Sequence, residues 1–171
     1  YGVCRFGAAF SFQDHPNVQV AAVSDLFPDR CQALAQACRC EKTYPSLEEM
    51  VQDDSIEAIF CATDAPSHAR HAIEVLKHGK HAAVAVPAVF GSIEQADELF
   101  ETVKTSGLKY MMFETSCFRA DCYAMRQIYK AGGFGRIVYS EGEYYHYHGD
   151  GSLGSYKDWR KGIPPLWYPT H

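Results

Sequence analysis

The stretch "IEAIFCATDAPSHARHAIEVLKHGKHAAVAVP", residues 56–87, decides the fold class of this 171-residue chain. Its first eight residues, 56–63, are mostly apolar and predict a strand, and residues 66–79 have a helical pattern that ends at a glycine. The last run, residues 81–87, is almost entirely apolar and predicts a strand buried on both faces. A strand, a helix and a second strand at this spacing predict a right-handed βαβ unit with parallel strands.

The same alternation of strand and helix patterns continues on both sides of this unit. Further strands are predicted at residues 18–25 and 108–114, and further helices at 27–40, 46–53, 92–107 and 119–133. Ser46 and Ser92 each precede a helix and are followed three residues later by Glu or Gln, which is the capping-box pattern. The repeated units predict an α/β fold with a doubly wound, Rossmann-type parallel sheet.

The pattern changes near residue 135. Residues 136–150 alternate as in a strand with one exposed face, and residues 151–171 are rich in glycine, proline and aromatic side chains without a helical period. We therefore predict a nucleotide-binding domain at residues 1–134 and the beginning of a second domain at residues 135–171. The second segment is too short to bury a core by itself.

The composition limits the possible partners. The formal net charge of −5 disfavours binding to nucleic acid, because no excess of Lys or Arg is present to neutralise phosphates. No apolar run reaches the roughly 18 residues that a membrane-spanning helix needs, so no membrane partner is expected. The seven cysteines include a C-x-C at Cys38 and Cys40 but no C-x-x-C, and most of the others lie in apolar segments. This pattern predicts reduced core cysteines, no metal site and a cytoplasmic protein.

The first residues contain a candidate phosphate-binding turn. The segment "GVCRFG" matches G-x-G-x-x-G, except that Cys4 replaces the middle glycine that lets the backbone approach a pyrophosphate. The motif predicts cofactor contacts from Gly2, Cys4, Arg5, Phe6 and Gly7. The alternative is an ordinary glycine-containing turn between a strand and a helix. Because only one residue precedes the turn, we also expect the strand that leads into it to be missing and the chain to be a fragment trimmed at both ends.

Asp25 is a second candidate for cofactor binding. It ends the strand predicted at residues 18–25 and lies 18 residues beyond Gly7, near the spacing of about 20 at which a carboxylate binds the adenosine ribose. There a carboxylate accepts hydrogen bonds from the ribose diol and repels a 2′-phosphate, so NAD is favoured over NADP. Arg30, five residues further on, would soften this preference. The alternative is an aspartate that only caps the following helix.

Polar residues also follow two other predicted strands. Thr63 opens the segment "TDAPSH" at the carboxyl end of a strand, where ligands bind in parallel α/β sheets. His68 closes that segment and is a candidate for contact with cofactor or substrate, the alternative being a histidine in the first turn of a helix. Glu114 ends the strand at residues 108–114 at the same edge. A carboxylate is poorly placed there for core packing, so a ligand role is predicted for it.

The last segments carry candidate acid–base residues. In "EYYHYH", Tyr144 and His146 would share one face of a strand, and a tyrosine and a histidine together can serve proton transfer. The alternative is an aromatic sheet face that packs on a neighbouring domain. In "WYPTH", Tyr168 and His171 flank a Pro-Thr pair in a predicted loop that displays side chains.

Taken together, these motifs resemble those of the family of glucose–fructose oxidoreductase, inositol dehydrogenase and MocA. The resemblance covers nearly all of the sequence and depends on the order of its parts: the glycine-rich turn, "VSD", "IFCATDAPSHARHAIEVLKHGKH", a strand that ends in proline, and "IYKAGGFGRIVYSEGEYYH". It implies an N-terminal Rossmann domain and a C-terminal α/β domain built on a large, mostly antiparallel sheet. It also implies NAD(P)-dependent oxidation or reduction of a sugar or polyol, and a homo-oligomer formed through the C-terminal domain.

The sequence departs from this family at one functional position. The family's strand after G-K-H usually ends in Glu-Lys-Pro, and its lysine helps to polarise the reacting hydroxyl or carbonyl; here these positions are Ala85, Val86 and Pro87. Pro87 thus marks the strand end that would border the nicotinamide. A branch that also lacks the lysine comprises NAD-dependent glycosidases such as α-N-acetylgalactosaminidase, and "YMMFETSCFR", "GGFGRIVYSEGEYYH" and "WYPTH" resemble that branch. There NAD transiently oxidises the sugar at C3, the aglycone leaves by elimination, and the hydride returns.

The resemblance implies roles for the tail residues and leaves several functions open. By matching segment, Tyr144 is a candidate base, Tyr168 and His171 lie near the reacting carbons, and Glu114 lies near the nicotinamide. Our first interpretation is an NAD-dependent oxidoreductase acting on a sugar, polyol or related carbohydrate. The second is an NAD-dependent glycosidase without net redox change. The third is a non-catalytic NAD- or sugar-binding protein, which the missing lysine and Cys4 would explain, and the fourth is an inactive fragment.

Overall fold

A computed structural model describes residues 11–143 of the chain. The chain divides into two compact units, Tyr1–Glu114 and Thr115–His171. In the described residues, the first unit contains five strands and four α-helices, and the second contains one α-helix. The domain boundary predicted at residue 134 falls within the second of these units and stays a prediction.

Strands and helices alternate along the first unit, as the sequence predicts. In chain order its elements are β1 (Ala22–Ser24), α1 (Pro28–Cys38), β2 (Lys42–Tyr44), α2 (Leu47–Met50), β3 (Ala58–Cys61), α3 (His68–Lys77), β4 (His81–Ala85), α4 (Ile93–Ser106) and β5 (Tyr110–Phe113). Short 3-10 turns, Phe12–Asp14 and Ala65–Ser67, precede β1 and α3. Strand β2 is not predicted by the sequence pattern, because its side chains are exposed or half-buried and form no apolar run.

All strand pairs are parallel and belong to two sheets. β1 pairs with β2, and β4 lies between β3 and β5 in a second sheet. In the second sheet Cys61 lies opposite Val84, and Ala85 lies opposite Phe113, so the three strands end at one edge. This arrangement confirms the predicted α/β fold with parallel sheets, whereas the antiparallel sheet of a second domain stays a prediction.

Helix α3 packs its small apolar residues against β3 and β4. Ala72 and Val75 of the helix and Val84 of β4 have no exposed surface, and Ala69 is 1% exposed. Alanines on this face let the helix backbone lie close to the sheet, and the wholly buried side chains belong to one hydrophobic core. The contact therefore fixes the start of α3 at the carboxyl edge of β3 and β4.

The structure contains the serine caps and the C-terminal glycine that the sequence predicts for α2 and α4. Ser46 Oγ accepts a hydrogen bond from the Glu49 N–H at 3.3 Å, and Ser92 Oγ accepts one from the Gln95 N–H at 3.2 Å. Gly107 ends α4 with a φ of 68°, a left-handed conformation that glycine adopts without steric cost. Both predicted serine caps are confirmed.

A cavity of about 980 Å³ is lined by residues of both sheets. Ala22–Ser24 of β1 form part of one wall, and Ala58–Cys61 of β3 form part of another. Within residues 11–143, β1 pairs only with β2, and β3 pairs only with β4, so each has one open edge.

The second unit contains α5 (Ala120–Lys130), which follows a 3-10 turn at Thr115–Phe118. Residues 136–143 form no strand, so the strand predicted at residues 136–150 is wrong for this part, and residues 144–150 lie outside the described residues. The physical reason is that a strand needs a hydrogen-bonded neighbour, and no strand is present among the described residues of this unit.

Three further findings concern partners and ligands. None of the helices between residues 11 and 143 combines the length and the apolar character that crossing a membrane requires. In the same part of the chain, no three His, Cys, Asp or Glu side chains converge as metal ligands. The six described cysteines are free thiols, of which Cys31, Cys38 and Cys61 are buried and Cys117 is exposed.

Lys80 is a buried cation at the amino end of β4. The residue is 4% exposed, and its Nζ donates hydrogen bonds to the backbone oxygens of Asp53 at 2.7 Å and Ile56 at 3.0 Å. A buried ammonium group is stable only where oxygen atoms replace the water that it has lost. Lys80 therefore fixes the loop before β3 to the turn before β4.

We expect Lys80→Met to lower the free energy of unfolding by about 2–4 kcal/mol, because two backbone oxygens lose a charged donor while a side chain of similar length is kept. Lys77→Met is the matched control, because Lys77 forms an exposed ion pair with Glu98 at 2.9 Å and such pairs contribute about 0–1 kcal/mol. Urea denaturation followed by circular dichroism measures both variants. Equal losses would contradict the structural role of Lys80.

Candidate functional site

Four predicted ligand positions follow the carboxyl ends of parallel strands. Asp25 directly follows β1, and Glu114 directly follows β5. Thr63 and Pro87 lie two residues beyond the ends of β3 and β4. In α/β sheets, ligands bind outside the carboxyl ends of the strands, and here residues of β1 and β3 line the same cavity.

Asp25 is a buried carboxylate at the start of α1. The residue is 7% exposed, and its Oδ1 accepts a hydrogen bond from the Phe27 N–H at 2.9 Å. This contact is a local turn before the helix, whose N-cap is Phe27 and has no side-chain cap, so the alternative of a helix-capping aspartate is not realised. A carboxylate has acceptor positions for about four hydrogen bonds, so this contact is compatible with a ribose diol bound to the same group.

Arg30 lies over an aromatic ring at the start of α1. Its guanidinium carbon lies 4.5 Å from the centroid of Phe27, a cation–π contact on a ring that is 53% exposed. The sequence pattern identifies Arg30 only by its distance from Asp25. The structure adds that its charge is close to the ring and to the first turn of α1.

His68 connects the ends of β3 and β4. The residue is 2% exposed, its Nδ1 lies 2.7 Å from the backbone oxygen of Pro87, and its Nε2 lies 3.0 Å from the backbone oxygen of Thr63. Both partners can only accept hydrogen bonds, and a neutral imidazole can donate to only one of them. This arrangement favours a positioning role for His68, and its direct contact with cofactor stays a prediction.

His71 is a functional candidate that the sequence pattern does not identify. The residue is 4% exposed, and its Nδ1 lies 2.9 Å from Thr63 Oγ1. Its Nε2 lies 2.7 Å from an Arg70 guanidinium nitrogen. Burial first, and the Arg70 charge second, lower the pKa of His71 to about 4. The only sequence signal is its position three residues after His68, on the same side of α3.

Three phenylalanine rings form an apolar wall of the cavity. Phe12 lies edge-on to Phe60, with 5.4 Å between ring centroids, and edge-on to Phe113 at 5.8 Å. Phe60 and Phe113 lie 5.1 Å apart. Edge-to-face rings at these distances attract one another, so the wall combines residues of β3 and β5 with the turn before β1.

The end of β4 carries no group that can exchange a proton. Ala85 ends the strand, and the following residues are Val86 and Pro87, which are joined by a cis peptide bond. Pro87 contributes its backbone oxygen to the contact with His68. This strand end therefore contributes shape and a backbone acceptor to the site, and no acid or base.

Several predicted site residues lie outside the described residues and stay predictions: Gly2, Cys4, Arg5, Phe6, Gly7, Tyr144, Tyr168 and His171. The described part of the site connects Thr63, His68, Pro87, His71 and Arg70 by hydrogen bonds, whereas Asp25 contacts Phe27 at the end of β1. It contains hydrogen-bond acceptors and donors suited to a polar ligand.

We expect the folded state to lose stability as the pH falls from 6.5 to 4. The pKa of His71 is lowered from 6.5 to about 4, so in this window the unfolded chain binds a proton that the folded chain does not. The contribution is complete above pH 6.5, and on the order of 3 kcal/mol is lost on acidification. Urea denaturation at both ends of the window measures the fall.

The variant His71→Asn should show a smaller fall in the free energy of unfolding, because it removes the proton uptake by His71. The fall that remains comes from the titrating carboxylates, which both proteins share. His15→Asn is the control, since it removes an exposed histidine and should leave the fall unchanged. Equal falls for the wild type and His71→Asn would contradict the assignment.

Comparison with known proteins gives curated relatives for the sequence. An α-N-acetylgalactosaminidase from Bacteroides fragilis is 31% identical over 137 residues, which cover 72% of this chain and 31% of the relative. Glycosyl hydrolase family 109 protein 3 from Phocaeicola vulgatus is 31% identical over 149 residues, which cover 81% of this chain and 27% of the relative. The chain thus spans less than a third of the length of these two relatives.

Solved structures with the same fold include two inositol dehydrogenases. Scyllo-inositol dehydrogenase from Lactobacillus casei, with bound NAD(H) and scyllo-inositol, has a TM-score of 0.73 at 20% identity and covers 80% of this chain and 41% of that one. Myo-inositol 2-dehydrogenase from Lactobacillus plantarum has a TM-score of 0.70 at 19% identity, with the coverage again 80% and 41%. At these identities the similarity shows the fold alone.

The family follows from the sequence match over the first compact unit. The model of the glucose–fructose oxidoreductase, inositol dehydrogenase and MocA proteins, described as an oxidoreductase family with an NAD-binding Rossmann fold, matches residues 1–114. This match covers 114 of 171 residues. The chain therefore belongs to this family of oxidoreductases with an NAD-binding Rossmann fold.

Proposed function

We propose that the natural protein is an NAD-dependent oxidoreductase that acts on a sugar, polyol or related carbohydrate by hydride transfer. The observation that carries this proposal is the buried Asp25 carboxylate directly after β1, in a chain that belongs to an NAD-binding family. A carboxylate at that position suits the two hydroxyls of an adenosine ribose. The same charge disfavours the 2′-phosphate of NADP, so NAD is the proposed cofactor.

The residues present fit the two halves of NAD. Asp25 would hold the adenosine ribose, and the turn with Gly2, Cys4, Arg5, Phe6 and Gly7 would hold the pyrophosphate. In the nicotinamide half, Thr63 and Glu114 supply polar side chains at the ends of β3 and β5, and Pro87 and His68 shape the loop between them. Bound NAD supplies a hydride acceptor, or a donor in its reduced form.

The proton of the reacting hydroxyl needs a base that β4 does not supply. Oxidation of an alcohol moves a hydride from carbon and a proton from oxygen, and Val86 cannot accept that proton. We therefore propose Tyr144, Tyr168 or His171 as the acid–base group. A histidine has an ordinary pKa of about 6.5, which suits this task near neutral pH. A tyrosine, ordinarily at about 10, needs a neighbouring positive charge.

A second candidate function is redox-neutral glycoside cleavage. Two observations favour it: Val86 occupies the position of the family's lysine, and the relatives include an α-N-acetylgalactosaminidase. Transient oxidation of a sugar carbon acidifies the neighbouring C–H, a base removes that proton, and the aglycone leaves. Water then adds to the unsaturated sugar in place of the aglycone, and the hydride returns, so no net NADH accumulates. This candidate needs the same cofactor and the same carboxyl edge of the sheet.

We further propose that the protein is cytoplasmic and forms a homo-oligomer through its C-terminal domain. The free thiols of the described residues are consistent with a reducing compartment. The family resemblance supports the oligomer.

We expect Asp25→Asn to weaken NAD binding by about 10- to 100-fold, because hydrogen bonds to a charged acceptor contribute about 1.5–3 kcal/mol. The amide oxygen of the variant can still accept the Phe27 N–H, so the fold is kept. The control is Asp29→Asn, in the first turn of α1, which should bind NAD normally. Calorimetry measures both, and an unchanged Kd for Asp25→Asn would remove Asp25 from the ribose site.

We expect the full-length natural protein to produce NADH absorbance when it is mixed with NAD and one member of a panel of inositols and sugars, because oxidation of an alcohol reduces the cofactor. Release of phenol from an aryl α-N-acetylgalactosaminide, with NAD present and no net NADH, would favour the glycosidase instead. Tight NAD binding without turnover on either panel would contradict both reactions and indicate a non-catalytic binding protein.

A further inference from the structure

A continuous series of polar side chains leads from the protein surface to the carboxyl end of β3. Glu48 Oε1 lies 3.5 Å from Arg70 Nη1, and Arg70 Nη2 lies 2.7 Å from His71 Nε2. His71 Nδ1 in turn lies 2.9 Å from Thr63 Oγ1. All four residues line the cavity that both sheets border, and we call them the Thr63 relay.

The chemistry of arginine fixes the direction of each hydrogen bond in the relay. A guanidinium group only donates, so the Nε2 atom of His71 must accept from Arg70. A neutral imidazole that accepts at Nε2 carries its proton on Nδ1, and it therefore donates to Thr63 Oγ1. The hydroxyl oxygen of Thr63 is then an acceptor in this contact, and its own hydrogen is directed to a different acceptor.

The surroundings keep the His71 ring neutral. His71 is 4% exposed, and burial together with the Arg70 charge holds its pKa at about 4, although Asp64 and Glu48 act in the opposite direction. The ring therefore keeps a single proton at physiological pH. The exposed Glu48 carboxylate pairs with Arg70 at the outer end of the relay.

We propose that Thr63 is a specificity-determining hydrogen-bond donor for the cofactor and that His71 and Arg70 are the positioning residues that orient it. The proposal rests on the proposed function: the acceptor is an oxygen of the nicotinamide half of NAD. Thr63 lies two residues beyond β3 and lines the cavity that both sheets border, and ligands of α/β sheets bind outside the carboxyl ends of the strands. The Thr63 oxygen already accepts from His71, so the relay occupies one of its lone pairs and turns its hydrogen away from the ring, towards the ligand.

A double-mutant cycle tests the coupling between Thr63 and His71 in the full-length natural protein. We expect Thr63→Val and His71→Phe each to weaken NAD binding by about tenfold, and the double variant to bind no more weakly than Thr63→Val alone. Thr63→Ser keeps the hydroxyl, and His71→Asn keeps an N–H near the position of Nδ1, so both should bind within about threefold of the wild type. Losses that add in the double variant would overturn the proposal.

A second measurement tests the relay without any cofactor. Nitrogen-15 NMR of the imidazole in the cofactor-free protein should show the His71 proton on Nδ1, and Arg70→Met should remove this preference. A wild-type ring with its proton on Nε2 would overturn the relay. A wild-type protein that binds no NAD would overturn the proposed function and the ligand part of this proposal, while the NMR result would still decide the hydrogen-bond direction.

Discussion

The packing of α3 against β3 and β4 determines where the polar groups of the carboxyl edge lie. Ala72 and Val75 have no exposed surface, so the helix cannot shift along the sheet without opening a space in the core. Because α3 begins at the sheet edge, its first turns carry His68 and His71 to the loops that follow β3 and β4. A hydrophobic contact thus sets the geometry of hydrogen bonds that lie several residues away.

The two ends of this βαβ unit use buried polar groups in different ways. At the amino end, Lys80 donates hydrogen bonds to the backbone oxygens of Asp53 and Ile56, so both partners belong to the protein and no ligand is involved. At the carboxyl end, His71 bonds Thr63 in a direction that turns the hydroxyl hydrogen towards another acceptor. The first arrangement stabilises a loop, whereas the second, in our proposal, orients a hydroxyl group for a ligand.

The parts of the fold that depend on apolar runs could be predicted from sequence, and the parts that depend on tertiary contacts could not. β3, β4 and α3 follow from local patterns because each buries a continuous apolar face. β2 has no such face and exists because it pairs with β1. The strand predicted at residues 136–150 failed in its described part for the converse reason, since its alternating pattern has no neighbouring strand there.

The same division applies to the candidate site. Asp25 could be identified by its spacing from the glycine-rich turn, because cofactor geometry fixes that distance. His71 could not, because its role comes from contacts with Thr63, eight residues earlier, and with Arg70, whose side chain occupies one of its nitrogens. Sequence spacing gives the position of a residue on an element, whereas its proton donor and acceptor roles depend on the folded neighbours.

Under the proposed function, the two parts of the protein have different tasks. At the end of β4, Val86 and Pro87 supply shape and one backbone acceptor but no group that can remove a proton from a sugar. Polyol oxidation and redox-neutral glycoside cleavage both begin with the loss of a hydride from carbon and of a proton from its hydroxyl oxygen. They diverge afterwards, because cleavage also needs removal of the proton on the carbon next to the new carbonyl and a leaving group one carbon further along. We therefore propose that the Rossmann unit does the same work in either reaction, and that the residues that hold the sugar and its base decide between them.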